Sequence, residues 1–294
     1  MNSLAAPAGL SLGCILFATD FSPCSEAALR YAASLTRWYG STLFTVTVVP
    51  EEITDYVQPP DPFSLRHSAE NKMADVAGST LLRGIQHREL VKEGFVSEVI
   101  PDLIERLEID LVVVGTRGRS GIKKLVLGSV AEGIIESATC PVLTVGPLVS
   151  STSGSGLRLR RVLCATDLLH ASTRALTYAV WLAEHEHARL TLLHVLKMST
   201  DVSIENPDSQ KEIALKRLTQ LLSPEMTTLL EAEFVVEIGQ PEEHILKVAE
   251  HQNADLILMS WRRPSFTHAS THLPWIPPHQ VVCHAHCPVL TVRE

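Results

Sequence analysis

The sequence predicts an α/β protein made of two doubly wound domains in tandem, each a five-stranded parallel sheet covered by helices on both faces. Three observations predict it. Short apolar, β-branched runs alternate with stretches that are apolar at helical spacing, the pattern of a parallel sheet joined by crossover helices. The pattern restarts after a Ser/Gly-rich segment at Ser150 to Gly156, which reads as a flexible linker. Finally, Cys140-Pro-Val-Leu-Thr-Val145 recurs residue for residue as Cys287-Pro-Val-Leu-Thr-Val292, the mark of an internal duplication. The expected boundaries are 1–147 for the first domain, 148–160 for the linker and 161–294 for the second.

In chain order, Cys14 to Thr19 reads as the first strand, ending at Asp20. Ser22-Pro23 then opens a helix, with Ser as N-cap, Pro at the first helical position and Glu26 near the first turn. Ala27, Ala28, Tyr31, Ala32 and Leu35 give that helix an apolar face, and Gly40 stops it. Thr42 to Val49 is the second strand, and the proline-rich, acidic 50–62 stretch is a loop of covering length. A second helix is expected over Ser64 to about Gly84 and a weak third strand over Gln86 to Lys92. A third helix is expected over Val96 to Leu107, with Pro101 at or near its first turn. Asp110 to Val114 is the fourth strand, a helix opens at Gly128, and Pro141 to Val145 is the fifth strand. The second copy mirrors these at Arg161 to Asp167, Ala171 to Glu186, Leu190 to Leu196, Ala254 to Met259 and Pro288 to Val292.

The candidate site follows from this order. Gly115-Thr116-Arg117-Gly118 stands where the fourth strand ends, and Gly128-Ser129 follows after nine intervening residues, where a helix begins. Glycine permits close approach to backbone N–H groups, and a helix N-terminus offers unpaired donors and a positive dipole end, which suits a phosphate. Arg117, Arg119, Lys123 and Lys124 make the intervening loop cationic. Ligands of doubly wound sheets sit beyond the carboxyl ends of the strands, where the strand order reverses. If the first and fourth strands are neighbours there, Asp20 faces the glycine loop; otherwise it is a helix-capping or surface carboxylate. The second copy has lost the loop: Ser260 and Arg263 replace Gly115 and Gly118, and Trp275 and Ile276 replace Gly128 and Ser129. Four prolines, Pro264, Pro274, Pro277 and Pro278, further deprive it of N–H donors.

These residues carry a resemblance. Gly-x-x-Gly, nine residues and Gly-Ser, together with Ala18-Thr-Asp-Phe-Ser22 and the Cys-Pro-Val-Leu-Thr-Val endings, resemble the universal stress protein family, two domains of which cover nearly the whole chain. The resemblance implies flavodoxin-like domains and ATP held by the first of them. It places Asp20, after Ala18 and Thr19, at the ribose hydroxyls, and Val48 and Val114 at adenine or ribose through backbone groups. It places Gly115, Arg117, Gly118, Gly128, Ser129 and Val130 around the phosphates, with Mg²⁺ bridging phosphate oxygens. Where relatives often carry His in the second strand, the first copy has Thr47 and the second His194. The resemblance also implies that domains pair through their final strands. Here that means Pro141 to Val145 against Pro288 to Val292 within one chain, so that any homodimer uses another face. An unknown protein partner would read the nucleotide state.

The remaining signals bound the function. A net charge of −8 from 25 Lys and Arg against 33 Asp and Glu argues against nucleic acid or anionic membrane as a partner. The sequence has no apolar run of membrane-spanning length, and the N-terminus reads against a secretory leader. Six cysteines without framework spacing fit a reduced, cytoplasmic protein. Cys283-His-Ala-His-Cys287 invites zinc, but Cys287 is the repeat partner of Cys140, and a packed cysteine beside solvated histidines is the preferred reading. There is no nucleophile elbow, Lys-containing phosphate loop or metalloprotease helix, so no catalytic residue is assigned. The favoured reading is an ATP-binding stress-response or regulatory protein whose second domain is structural or regulatory. The alternatives are a nucleotide-independent interaction protein and an enzyme with weak ATP hydrolysis or self-phosphorylation.

Overall fold

The computed structural model describes residues 12–50, 62–116, 127–149, 159–168, 173–197, 207–261 and 279–293. The chain divides into two compact units whose bodies are residues 11–147 and 158–294. Each unit has a parallel sheet with its own core.

In the first unit, β1 (Cys14–Ala18), β2 (Thr42–Val49), β3 (His87–Glu93), β4 (Leu111–Gly115) and β5 (Val142–Val145) stand in the order β3-β2-β1-β4-β5. All neighbours are parallel. The order reverses between β1 and β4, where Ala18 lies opposite Val114, so the two strand ends expected to face each other are neighbours. β1 and β4 are central and buried on both faces, which is why Ile15, Leu16, Val112 and Val113 are all without exposed surface. Right-handed crossovers put α1 (Pro23–Tyr39) and α2 (Pro62–Ala77) on one face, and α3 (Val96–Arg106) and α4 (Ser129–Ser137) on the other. On that second face α3 and α4 pack against each other.

The ends of α1 are as expected. Ser22 Oγ accepts from Ser25 N at 3.3 Å, Pro23 is the first helical residue, and Gly40 closes the helix at φ 67°. Three expectations change. The second helix ends at Ala77 rather than near Gly84, because Gly78 and Ser79 break it into a single 3₁₀ turn over Thr80–Leu82. Pro101 lies inside α3, at its sixth residue, rather than at its first turn. The amphipathic face that buries Ile100, Leu103 and Ile104 outweighs the one lost backbone bond. Asp110 precedes the fourth strand instead of belonging to it: Gly13 N and Cys14 N donate to its Oδ2 at 2.8 and 3.0 Å, tying the start of β1 to the start of β4.

In the second unit, β6 (Arg161–Ala165), β7 (Arg189–Leu196), β8 (Glu233–Ile238), β9 (Leu256–Trp261) and β10 (Val289–Arg293) repeat the arrangement as β8-β7-β6-β9-β10. Every neighbouring pair is again parallel. Its helices are α5 (Thr173–His185), α6 (Pro207–Thr219), α7 (Pro224–Leu229), α8 (Pro241–His251) and α9 (His279–His284). Asp255 repeats the tie made by Asp110, accepting Arg160 N at 2.7 Å and Arg161 N at 3.0 Å. Among the described residues no helix is long and apolar enough to cross a membrane.

Candidate functional site

A cavity of about 420 Å³ opens at the carboxyl ends of β1, β2 and β4 in the first unit, the crevice where doubly wound sheets place ligands. Ala18, Thr19, Asp20, Val48, Val114, Gly115, Gly128, Ser129 and Val130 all line it. Arg117 and Gly118, with Arg119, Lys123 and Lys124, lie outside the described residues.

The β1 edge is built by a side-chain turn. Thr19 Oγ1 accepts from Phe21 N at 3.0 Å, and Phe21 is held in the left-handed region at φ 62°. The same turn recurs in the second unit, where Thr166 Oγ1 accepts from Leu168 N at 3.1 Å and Leu168 has φ 59°. The threonine of each Ala-Thr-Asp is thus there to bend the chain. Asp20 follows from that bend: its Oδ1 accepts from Ser22 N at 3.0 Å and from Ser25 Oγ at 2.5 Å. The carboxylate rests on the N-terminus of α1, where the helix dipole favours a negative charge, and it also lines the cavity. Capping and facing the crevice are therefore one arrangement, with the cap fixing where the carboxylate points.

The opposite edge is the start of α4. Gly128 is its N-cap, with φ −70° and no side-chain capping bond. Gly128 N donates to Thr116 O at 2.9 Å and Thr116 N to Val145 O at 3.1 Å, so strand end and helix start are tied together. The N–H groups of Ser129, Val130 and Ala131 have no partner among the described residues, the open donors that every helix leaves in its first turn. Ser129 and Val130 are exposed to the cavity mouth.

Gly115, which lines the cavity, also has a packing part. It ends β4, paired with Val145, outside the left-handed region. A Cβ there would stand 2.7 Å from the backbone carbon of Cys24 and 2.8 Å from Ser25 N. Glycine at this position lets the first turn of α1 sit against β4, which holds the Asp20 cap against the strand end.

Sequence reasoning missed one wall altogether. Leu65, Ser68, Ala69 and Lys72 of α2, at helical spacing, line the cavity, as do Val96 and Ile100 of α3. The Lys72 ammonium lies 5.8 Å from the centre of the Phe21 ring. Among the described lining residues Asp20 is the only acid and Lys72 the only base. The spacing 65, 68, 69, 72 was legible, but the mixed polarity of that stripe hid its role.

The second unit carries different residues at the corresponding register. Ala165 pairs with Met259 as Ala18 pairs with Val114, so Ser260 takes the register of Gly115, and Trp261 that of Thr116. Trp261 is 3% exposed and stacks on His279, ring centres 5.4 Å apart and 16° from parallel. His194, at the register of Thr47, has its Nδ1 2.8 Å from Thr166 O, and burial lowers its pKa below the ordinary value. The Arg263, Trp275 and Ile276 positions lie outside the described residues. Burial pushes the Cys287 thiol up to about 12, as it does its repeat partner Cys140. Among the described residues no three His, Cys, Asp or Glu side chains are grouped to hold a metal.

Comparison with known proteins gives one family. The universal stress protein family matches the chain twice, over residues 13–146 and 158–293. A universal stress protein of Methanocaldococcus jannaschii is 28% identical over 138 residues, covering 45% of this chain and 80% of its own. Universal stress protein A homolog 1 of Coxiella burnetii is 35% identical over 137 residues, covering 45% of this chain and 94% of its own. Among solved structures, a universal stress protein from Archaeoglobus fulgidus aligns over 97% of both chains at 21% identity with a TM-score of 0.69, a likeness of fold.

Proposed function

Because the chain belongs to the universal stress protein family, we propose that its first domain binds ATP and that its bound state is read by a protein partner in a stress-response or regulatory role. One observation carries the proposal: a single crevice joins the fixed Asp20 carboxylate on one edge to the uncapped first turn of α4 on the other. An acceptor that suits ribose hydroxyls and a set of donors that suits phosphates are what a nucleotide asks for at its two ends. In this reading Asp20 takes the ribose, and Val48 and Val114 meet adenine or ribose beside Ala18 and Thr19. Gly115, Gly128, Ser129 and Val130 take the phosphates, joined from the sequence by Arg117 and Gly118. A Mg²⁺ would lean on phosphate oxygens and water, since Asp20 is the one carboxylate among the described lining residues.

The second domain keeps the sheet and, in this reading, takes no ATP. Where the first has a glycine and a threonine, it has Ser260 and a buried Trp261 stacked on His279. The six free cysteines fit a reducing compartment, the cytoplasm. The test is direct: purified protein is denatured and any released nucleotide identified by mass spectrometry. ATP or ADP in amounts approaching one per chain supports the reading. Protein that carries no nucleotide and takes up none from a millimolar ATP solution refutes it.

A further inference from the structure

Lys72 has no part in the reading above, yet it lines the same crevice, the only base among the described lining residues as Asp20 is the only acid. It comes from α2, where Leu65, Ser68, Ala69 and Lys72 face the cavity and the buried Ala69 and Met73 anchor the helix. Arg66 of the same helix pairs with Glu70 and Glu93. Lys72 has no such carboxylate among the described residues, and its ammonium lies 5.8 Å from the centre of the Phe21 ring. Phe21 belongs to the turn that Thr19 Oγ1 holds at φ 62°, and it follows Asp20 directly. An acid and a base therefore border one part of the crevice without pairing with each other. The second unit shows that a base at this helix position reaches the strand ends. Arg217 precedes the second of the buried pair Ala214 and Leu218, as Lys72 precedes the second of Ala69 and Met73. Burial lowers the pKa of His194, at the register of Thr47, and the charge of Arg217 adds to that lowering; Thr47 lines the crevice of the first unit.

We propose that the Lys72 ammonium is a specificity contact for the sugar, donating a hydrogen bond to the oxygen of a ribose hydroxyl whose own hydrogen goes to Asp20. This rests on the site reading given above. A hydroxyl has one hydrogen to give and lone pairs to accept with, so an acid and a base at one place use both capacities at once. Both bonds are charge-assisted, which makes them stronger than neutral ones. The phosphates are not the fitting partner for Lys72, because α2 lies on one face of the sheet and α4, whose start would hold them, on the other. The second domain keeps an acid and a base, Asp167 and Arg217, and lacks the glycine loop. The contact therefore selects the sugar and does not by itself hold a nucleotide.

The experiment titrates ATP and 2′,3′-dideoxy-ATP, which lacks both sugar hydroxyls, into the full chain by calorimetry for wild type and Lys72→Met. Methionine keeps an apolar stem beside Phe21 and removes the ammonium. The expected result is a roughly tenfold loss of ATP affinity in Lys72→Met, the low end for a hydrogen bond to a charged group because Lys72 is exposed. Wild type binds the dideoxy analogue more weakly than ATP, and Lys72→Met binds that analogue as wild type does. If Lys72→Met binds ATP like wild type, the contact is refuted while the site stands. Equal losses for ATP and the analogue also refute it, since the lysine would then act on the phosphates or on the fold. A wild-type chain that binds ATP and the analogue equally refutes sugar selection by Asp20 and Lys72 together and leaves the phosphate end standing. A wild-type chain that binds no ATP brings down the site reading and this contact together.

Discussion

The same substitution, glycine to alanine, should act in opposite directions at two positions of the first domain. At Gly115 an added Cβ would meet three backbone atoms of Cys24 and Ser25 at 2.7 to 2.8 Å. Backbone at the start of a helix cannot swing aside as a side-chain tip can, so α1 must shift. Overpacking of this kind costs about 1–3 kcal/mol. At Gly133, inside α4, an added Cβ would meet nothing within 4 Å. There alanine removes the entropy penalty of a glycine in a helix, a gain of about 0.5–1 kcal/mol. At roughly 2–4 °C per kcal/mol, Gly115→Ala lowers the unfolding midpoint by about 2–12 °C, and Gly133→Ala raises it by about 1–4 °C. Scanning calorimetry of the full chain resolves both, and the two variants must move the same transition because both belong to one domain. A Gly115→Ala protein as stable as wild type would refute the seating of α1 on β4. A destabilised Gly133→Ala protein would refute the open space beside α4.

Two further predictions concern the duplicated framework. Asp110→Ala and Asp255→Ala each remove an acceptor that ties two strand-start N–H groups, and each should cost roughly 1–2 kcal/mol in urea unfolding; equal stability of either variant with wild type would show that the tie contributes nothing. His194 titrates below its ordinary value because of burial, so the unfolded chain takes up a proton first as pH falls below about 6.5. Its contribution to stability is therefore undiminished above that pH and is lost as pH falls toward the lower folded value. His194→Thr, which installs the residue that the first copy has at that register, should flatten the loss of stability between pH 7.5 and 5; an unchanged slope would contradict the buried neutral ring.

The fold was legible because it is written twice and because parallel sheets make strong local signals. Ile15 to Phe17 and Leu111 to Val113 are unbroken apolar runs, as strands buried on both faces must be. The cap at Ser22 and the stop at Gly40 follow from backbone chemistry that a sequence states directly. What was hidden depends on contacts between distant residues. Nothing local distinguishes Gly115 as a packing glycine, because the atoms that demand it belong to Cys24 and Ser25. Nor does the sequence say that Asp110 and Asp255 reach across about 95 residues to a strand start, or that Lys72 lines the crevice. Asp20 had two competing readings from sequence, cap and crevice residue, and the geometry joins them in one carboxylate.

The central claim is that one nucleotide is held by the first domain, with its phosphates at the start of α4. The measurement that tests it most directly is calorimetric titration of ATP into the intact chain, beside a Gly128→Val variant and a Trp261→Ala variant. Valine at Gly128 puts methyl groups at the helix cap where phosphate must approach the backbone, and losing two charge-assisted hydrogen bonds weakens binding roughly a hundredfold or more. The account predicts one site per chain, that loss in folded Gly128→Val, and unchanged binding in Trp261→Ala. Two equivalent sites, or wild-type affinity in folded Gly128→Val, would contradict it.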